Sequence, residues 1–514
     1  MRKLFALYTN EMIKTSKKIS IIVLLVIMVV IIFAFGALVK YQSDLNSNDD
    51  YSEQYQKEEV KRQLEDAKIK VINIQDKKAT ASPEEKAKLQ LEEKLVQNRV
   101  DMLQYSIDSN IAIYSESYRA QAIKKMFNLK DTADQLKAVV PEQLTDQQKI
   151  QLVNAEADIT ALESVINNKD FKEYVAFLNR ETNNNPTLSE EEKKIYLDSN
   201  ELKQKYNITG EVDGKAVDGN AFKYIYILEK AKLSLLKDLD YTGDSQNLKP
   251  LTPDSRQEIK DMITVIEHNF SKGLLTNNPD DRKGNDMASE VIPFMLNIGN
   301  FMIVILIMIL AGGSVSSEMS TGSIKSLIIS PTKRWKIFAA KYFSLLSAGI
   351  VAALIAYIFS LLASGIFFGF EAGLPYVYAS DGIAYELNFH IYQLGRLCTD
   401  FIVVLVYMTF AFMLSILTRN TAVSVALTIA VYFIGNTANA IIMQFFKGEW
   451  LRFIPFNNLN LTTKIFPNDI AARISGGTPA SELNSLSFSL VYVAVLLICM
   501  IYIGLDSFNR RDIK

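Results

Sequence analysis

The chain has 514 residues, a formal net charge of −2 and a hydrophobic fraction of 49%. Near-neutrality excludes the basic excess of a nucleic-acid binder. The cysteines, Cys398 and Cys499, both sit in apolar runs, which excludes a disulfide framework for the polar part. His268 and His390 are far apart, and no metal-ligand spacing, phosphate loop or nucleophile elbow occurs. The chain therefore reads as a non-enzyme with no cofactor of its own.

In chain order, Leu4, Phe5, Tyr8, Met12 and Ile13 stand apart from the neighbouring lysines, the pattern of an interfacial helix. Ile19 to Val39 is the first of six apolar runs long enough to cross a bilayer as helix. The others are about Val291 to Val315, Tyr342 to Phe368, Leu394 to Leu417, Thr421 to Phe446 and Ser487 to Leu505. A cleaved signal peptide ending near Gly36 is a competing reading of the first run and leaves the other five unchanged. The expected fold is an all-α polytopic membrane protein: an N-terminal amphipathic helix and first span in 1–40, a large, mostly helical domain in 41–290, and five further spans in 291–514.

The insert carries clear helix signals. Val60, Leu64, Ala67, Val71 and Ile74 step as a heptad seam. Ser82-Pro83-Glu84-Glu85 predicts a capped helix start with Glu85 closing a capping box, and Val96 to Tyr118 continues one face, so a helical hairpin is expected. Thr145 with Gln148 and Ser189 with Glu192 predict two more capping boxes, and Thr252-Pro253 a further helix start. The segment 206–219 reads as a small strand hairpin. Tyr105, Tyr114, Tyr118 and Tyr174 read as core aromatics.

Lysine and arginine placement sets the expected orientation. Lys14, Lys17 and Lys18 precede the first span; Lys325, Lys333, Arg334, Lys336 and Lys341 lie between the second and third; Arg419 lies between the fourth and fifth; Arg510 and Arg511 follow the sixth. Both termini are then cytoplasmic and the insert lies outside. Usage rich in Lys, Ile and Asn points to a low-GC bacterium.

The most informative segment follows the second span, as a cytoplasmic loop over 316–341. Glu318 leaves the membrane and Gly322 permits a turn. Ile324, Leu327 and Ile328 give a short helix one apolar face with Lys325 opposite, and Pro331 stops it. Arg334, Lys336 and Lys341 then start the third span at the lipid headgroups. This order resembles the cytoplasmic loop of ABC transporter permeases of the type-2 export class. Ile454-Pro455-Phe456 with Leu459, and the ending Phe508-Asn509-Arg510-Arg511-Asp512-Ile513, resemble the same family. The likeness covers residues 1–40 and 290–514 and leaves the insert unexplained. It implies a permease that pairs with a second permease copy or paralogue in the lipid of the cytoplasmic membrane. A separate ABC ATPase subunit, which carries ATP and Mg, would drive it. Glu318, Gly322, Ile324, Lys325, Leu327, Ile328, Pro331 and Arg334 would then form the ATPase-coupling segment.

Polar groups inside spans are expensive and informative. Asn297 and Asn300 lie in the second span, Arg396 and Asp400 sit four apart in the fourth and can pair, and Asn436 and Asn439 lie in the fifth. They are candidates for a translocation path or dimer seam, or amides that satisfy each other between packed helices. Short re-entrant helices are expected after Gly448. The expected function is export of an amphipathic or hydrophobic compound: a peptide antibiotic, drug or lipid. The alternatives are a cell-surface scaffold or receptor resembling the phage-infection type of protein, and an envelope-stress sensor.

Overall fold

The computed structural model describes residues 2–47, 49–139, 143–212, 215–216, 220–241, 248, 250–276, 286–321, 332–370, 373–380, 382–446, 448–466 and 484–510. The chain forms two compact units. One comprises 1–41, 284–378 and 385–514; the other comprises 42–283 with 379–384. Apart from two short hairpins, the regular structure among the described residues is helical.

In the 42–283 unit, α3 (Asp49–Thr80) and α4 (Pro83–Asp108) form the expected helical hairpin. All five seam residues, Val60, Leu64, Ala67, Val71 and Ile74, are buried, because a heptad repeat keeps one stripe facing a partner helix. Ser82 caps α4 by accepting from the Glu85 N–H at 3.4 Å. Glu85 does not return the bond, so the expected capping box is half formed. Further helices follow: α5 (Tyr118–Lys137), α6 (Asp146–Asn168), α7 (Phe171–Asn184), α8 (Glu190–Lys205), α9 (Asn220–Lys237) and α10 (Pro253–Ser271). Each packs against the next. Complete capping boxes open α6 at Thr145 and Gln148, α8 at Ser189 and Glu192, and α10 at Thr252 and Ser255. The predicted strand hairpin is β1 (Glu211–Val212) with β2 (Lys215–Ala216).

The core of this unit joins Leu103, Ile123, Met126, Leu162, Val165 and Phe177. Tyr118 packs edge-on to Phe171 at 5.3 Å and lies 5.8 Å from Tyr174, so both tyrosines are core residues as expected. Burial, with Glu211 adding to it, pushes the Tyr118 hydroxyl up to about 12, and it stays protonated. Beside it Arg119 and Glu211 form a buried ion pair, the Nε 2.9 Å from each carboxylate oxygen.

The other unit holds α1 (Arg2–Ser16), α2 (Ile19–Ser47), α11 (Asp286–Ser314), α12 (Ser316–Ser320), α13 (Arg334–Phe368), α14 (Phe389–Thr418), α15 (Thr421–Phe445) and, near its end, α18 (Leu486–Arg510). Six helices among the described residues are long and apolar enough to cross a membrane: Ile19–Gln42, Val291–Ser320, Arg334–Phe368, Phe389–Thr418, Thr421–Phe445 and Leu486–Arg510. The chain is a membrane protein. Helices α11 and α14 form its centre and pack most extensively on each other. Helix α15 is the least enclosed span, with 6% of its apolar window buried against 56% for α14.

Small polar residues hold the centre together, as expected where lipid offers no drive for helix association. Ser415 Oγ accepts from the N–H groups of Val315 and Ser316 at 3.1 and 2.9 Å, where α11 passes into α12. Ser424 of α15 donates to the Gly312 carbonyl at 2.8 Å. A Cβ on Gly312 would stand 2.7 Å from Val425 Cγ2, so only glycine lets α11 and α15 approach this closely. Arg419, with φ of 56°, and Asn420 make the whole connection between α14 and α15. Asn420 caps α15, accepting from Ala422 and Val423.

A hairpin that the sequence reading did not anticipate, β3 (Tyr376–Ser380) with β4 (Ile383–Leu387), precedes α14. The expected short helices after Gly448 are a 3-10 turn at Glu449–Phe453, α16 (Phe456–Leu459) and α17 (Thr462–Ile465).

Candidate functional site

Two polar assemblies stand out in the 1–41, 284–378 and 385–514 unit. The first is a cluster of charge where α1, α12 and α13 meet. Helix α1 packs along α13, with Tyr8 and Ser347 hydroxyls 2.8 Å apart. This aims Glu11 of α1 at Lys341, about two turns into α13. Lys341 Nζ lies 3.0 Å from Glu11 Oε2 and 2.8 Å from Glu318 Oε2. Lys14 Nζ lies 3.3 Å from Glu11 Oε1 and 3.4 Å from Glu318 Oε1. Lys341 is 1% exposed, so the expectation that it sits at the headgroups is corrected: paired carboxylates offset the cost of desolvating it. Burial pulls the Lys14 ammonium down, but Glu11 and Glu318 outweigh that and hold its pKa above the usual lysine value.

Of the segment singled out in the sequence, Glu318 and Arg334 are in view. Glu318 belongs to the charge cluster. Arg334 Nη1 donates to the Asn509 carbonyl at 2.9 Å, in the last turn of α18, where the exposed carbonyls favour a cation. Gly322, Ile324, Lys325, Leu327, Ile328 and Pro331 lie outside the described residues.

The second assembly is a cavity of about 610 Å³ between α11, α14, α15 and the short helices α16 and α17. Four of the six polar span residues reach it: Asn297, Arg396, Asp400 and Asn436. Asn300 does not line it. Asn439 does not either; its amide donates to Asn457 Oδ1 at 2.7 Å, an amide satisfying another amide. Arg396 and Asp400 do not form the helical pair expected from their spacing. Asp400 Oδ1 accepts from Thr462 Oγ1 at 2.5 Å, and the Arg396 guanidinium lies over the Tyr392 ring at 5.8 Å. A second hydroxyl, Thr399, is 2.7 Å from that of Thr462 and completes the anchoring of α17 to α14. Phe301, Tyr407, Tyr432, Phe433 and Phe456 supply aromatic walls.

Glu11 and Thr462 were not singled out from sequence, and Lys341 was read only as a headgroup residue. Glu11 is the only acid in α1, and Lys341 interrupts an apolar run from Ile337 to Leu346 with one charge. A charge in such a place is a signal for a buried partner. Thr462 carried no signal.

A spanning core of six long apolar helices, with a half-open polar cavity and a buried charge cluster among them, defines a polytopic membrane protein. Comparison with known proteins agrees at that level. The family described as Protein of unknown function (DUF2705) matches residues 276–514. The uncharacterized protein YhcI of Bacillus subtilis is 30% identical over 275 residues, covering 51% of this chain and 78% of YhcI. The uncharacterized membrane protein YdbK of the same organism is 26% identical over 215 residues, covering 42% of this chain and 79% of YdbK. The chain belongs to the family of YhcI.

Proposed function

We propose that this chain is the transmembrane permease subunit of an ATP-driven exporter of the type-2 ABC class, moving an amphipathic or hydrophobic compound across a cytoplasmic membrane. The observation that carries the reading is the cavity among α11, α14 and α15, where polar span residues and aromatic walls converge. A compartment of this size and mixed lining suits a small amphipathic ligand. In this reading both termini and the 316–341 loop are cytoplasmic, and the 42–283 unit lies outside. In this reading ATP and Mg belong to a partner ATPase, which carries the catalytic site. A second copy or paralogue packs beside it, and α15, the least enclosed span, is the face left for it.

The two ends of the 322–331 segment are tied to different helices. Glu318 bonds through Lys341 and Lys14 to α13 and α1, and Arg334 bonds to the end of α18. A force applied between them would reach three helices at once. Leu327→Glu, outside the bilayer, tests the coupling role. Association with a coexpressed ATPase subunit and the stimulation of its hydrolysis should both fall, while the melting temperature stays that of wild type. Unchanged association and hydrolysis would move the reading to a receptor that needs no ATPase.

A further inference from the structure

We infer that the cavity binds an amphiphile whose polar head carries one anionic and one cationic group. The inference rests on the reading of the cavity as a ligand compartment. Arg396 and Asp400 are one helical turn apart and line the same space, yet no direct ion pair joins them. Asp400 uses one oxygen to accept from Thr462, and Arg396 is spread over Tyr392, so each charged head is held in place by a neutral group. No other charged residue lines the cavity among the described residues. Opposite charges held apart inside a span are costly unless something between them completes both. A ligand with a carboxylate or phosphate for Arg396 and an ammonium for Asp400 does so; a singly charged ligand leaves one of the two exposed.

Two further observations agree. The Tyr407 hydroxyl is buried and lines the cavity beside the Asn436 amide. A hydroxyl that both donates and accepts at this wall can meet a ligand polar atom. Around it Phe301, Tyr432, Phe433 and Phe456 offer flat apolar surface for the rest of the molecule. Such a head occurs on a lipid and on a free hydrophobic peptide with charged ends, and the same charges serve both.

The test is saturable binding to the purified full-length protein in maltoside detergent. The probes are lysophosphatidylethanolamine and the tripeptide Phe-Phe-Phe. Lysophosphatidylglycerol and the N-acetylated and C-amidated peptides are the singly charged counterparts. At least one zwitterion should bind more tightly than its counterparts, and whichever does names the source. Arg396→Gln and Asp400→Asn should each weaken that binding by about tenfold or more, as for loss of a charged hydrogen bond. The exchanged pair Arg396→Asp with Asp400→Arg should regain part of it. No saturable binding of either zwitterion, equal binding of the singly charged probes, or variants that melt and bind as wild type would overturn the inference. The comparison of charges on wild type decides even where a variant does not fold. Because no ATPase takes part, failure of the coupling test leaves this result standing, and failure here leaves the coupling result standing.

Discussion

The two units bury charge in different ways. In the 42–283 unit Arg119 Nε donates to both oxygens of Glu211 and fixes the start of α5 against β1. In the spanning unit Lys341 is a single ammonium shared by carboxylates from α1 and α12, with Lys14 closing the set. A planar guanidinium is rigid at its head, whereas an ammonium on a flexible stem can keep one partner while it loses another. The first arrangement suits a fixed register. The second can keep a junction of three helices together while one contact changes.

The comparison can be broken most directly at its cations. Lys341→Met leaves two buried carboxylates with only Lys14, and should cost about 3–5 kcal/mol, as for other buried pairs with one partner removed. It should be read as a large fall in the melting temperature of the purified protein. Glu318→Gln should cost much less, because Lys341 keeps Glu11. In the other unit Arg119→Leu should be as severe as Lys341→Met, while the double change Arg119→Leu with Glu211→Leu should recover most of the loss. If Glu318→Gln proves as damaging as Lys341→Met, the shared-ammonium picture is wrong.

A neutral junction beside the charged one sharpens the contrast. Ser415→Ala removes the acceptor for two buried N–H groups where α11 passes into α12, and should cost about 1–3 kcal/mol. Amide exchange at 314–317 should rise while that of α3 and α4 stays unchanged. Equal loosening everywhere would mean the junction is not local.

The smallest effect concerns Asp131. Burial pushes its carboxyl above the usual value, and Asp134 adds to this against the opposing bond from Asn98. The native state therefore binds this proton more tightly than the unfolded chain, so stability falls as pH rises from the ordinary value of 3.8 through the raised one. At neutral pH the ionised group opposes folding. Asp131→Asn, which keeps an acceptor for Asn98, should slow amide exchange in α4 and α5 slightly, by a few tenths of a kcal/mol, since the site is partly solvated. The gain should vanish below the carboxylate range.

Much of this architecture can be read from pattern alone, and the reason is periodicity. A span needs only a long apolar run, and the seam from Val60 to Ile74 needs only its own spacing; both signals are complete within one segment. The helix starts at Thr145, Ser189 and Thr252 are local for the same reason. The site is another matter. Positive charge near a span is read as a headgroup anchor, and nothing near Lys341 in sequence reveals Glu11. Spacing of four pairs Arg396 with Asp400 on an isolated helix, but Thr462 and Tyr392 offer each a better-placed partner in three dimensions. The hairpin from Tyr376 to Leu387 was legible in principle, since Asp381-Gly382 is a turn signal between strand-forming residues. The cavity was not, because its walls come from segments far apart in the chain.

The Glu11–Lys341 bond also sets an order of events during synthesis. Its partners are separated by 330 residues. At roughly 5–20 residues per second a ribosome takes from about a quarter of a minute to about a minute to cover that interval. Throughout it Glu11 has been made and Lys341 has not, so the acid must stay in water or among headgroups beside Lys14. Helix α1 can settle against α13 only after the third span has entered the membrane. Helix α1 is thus translated well before α13 yet settles only after it.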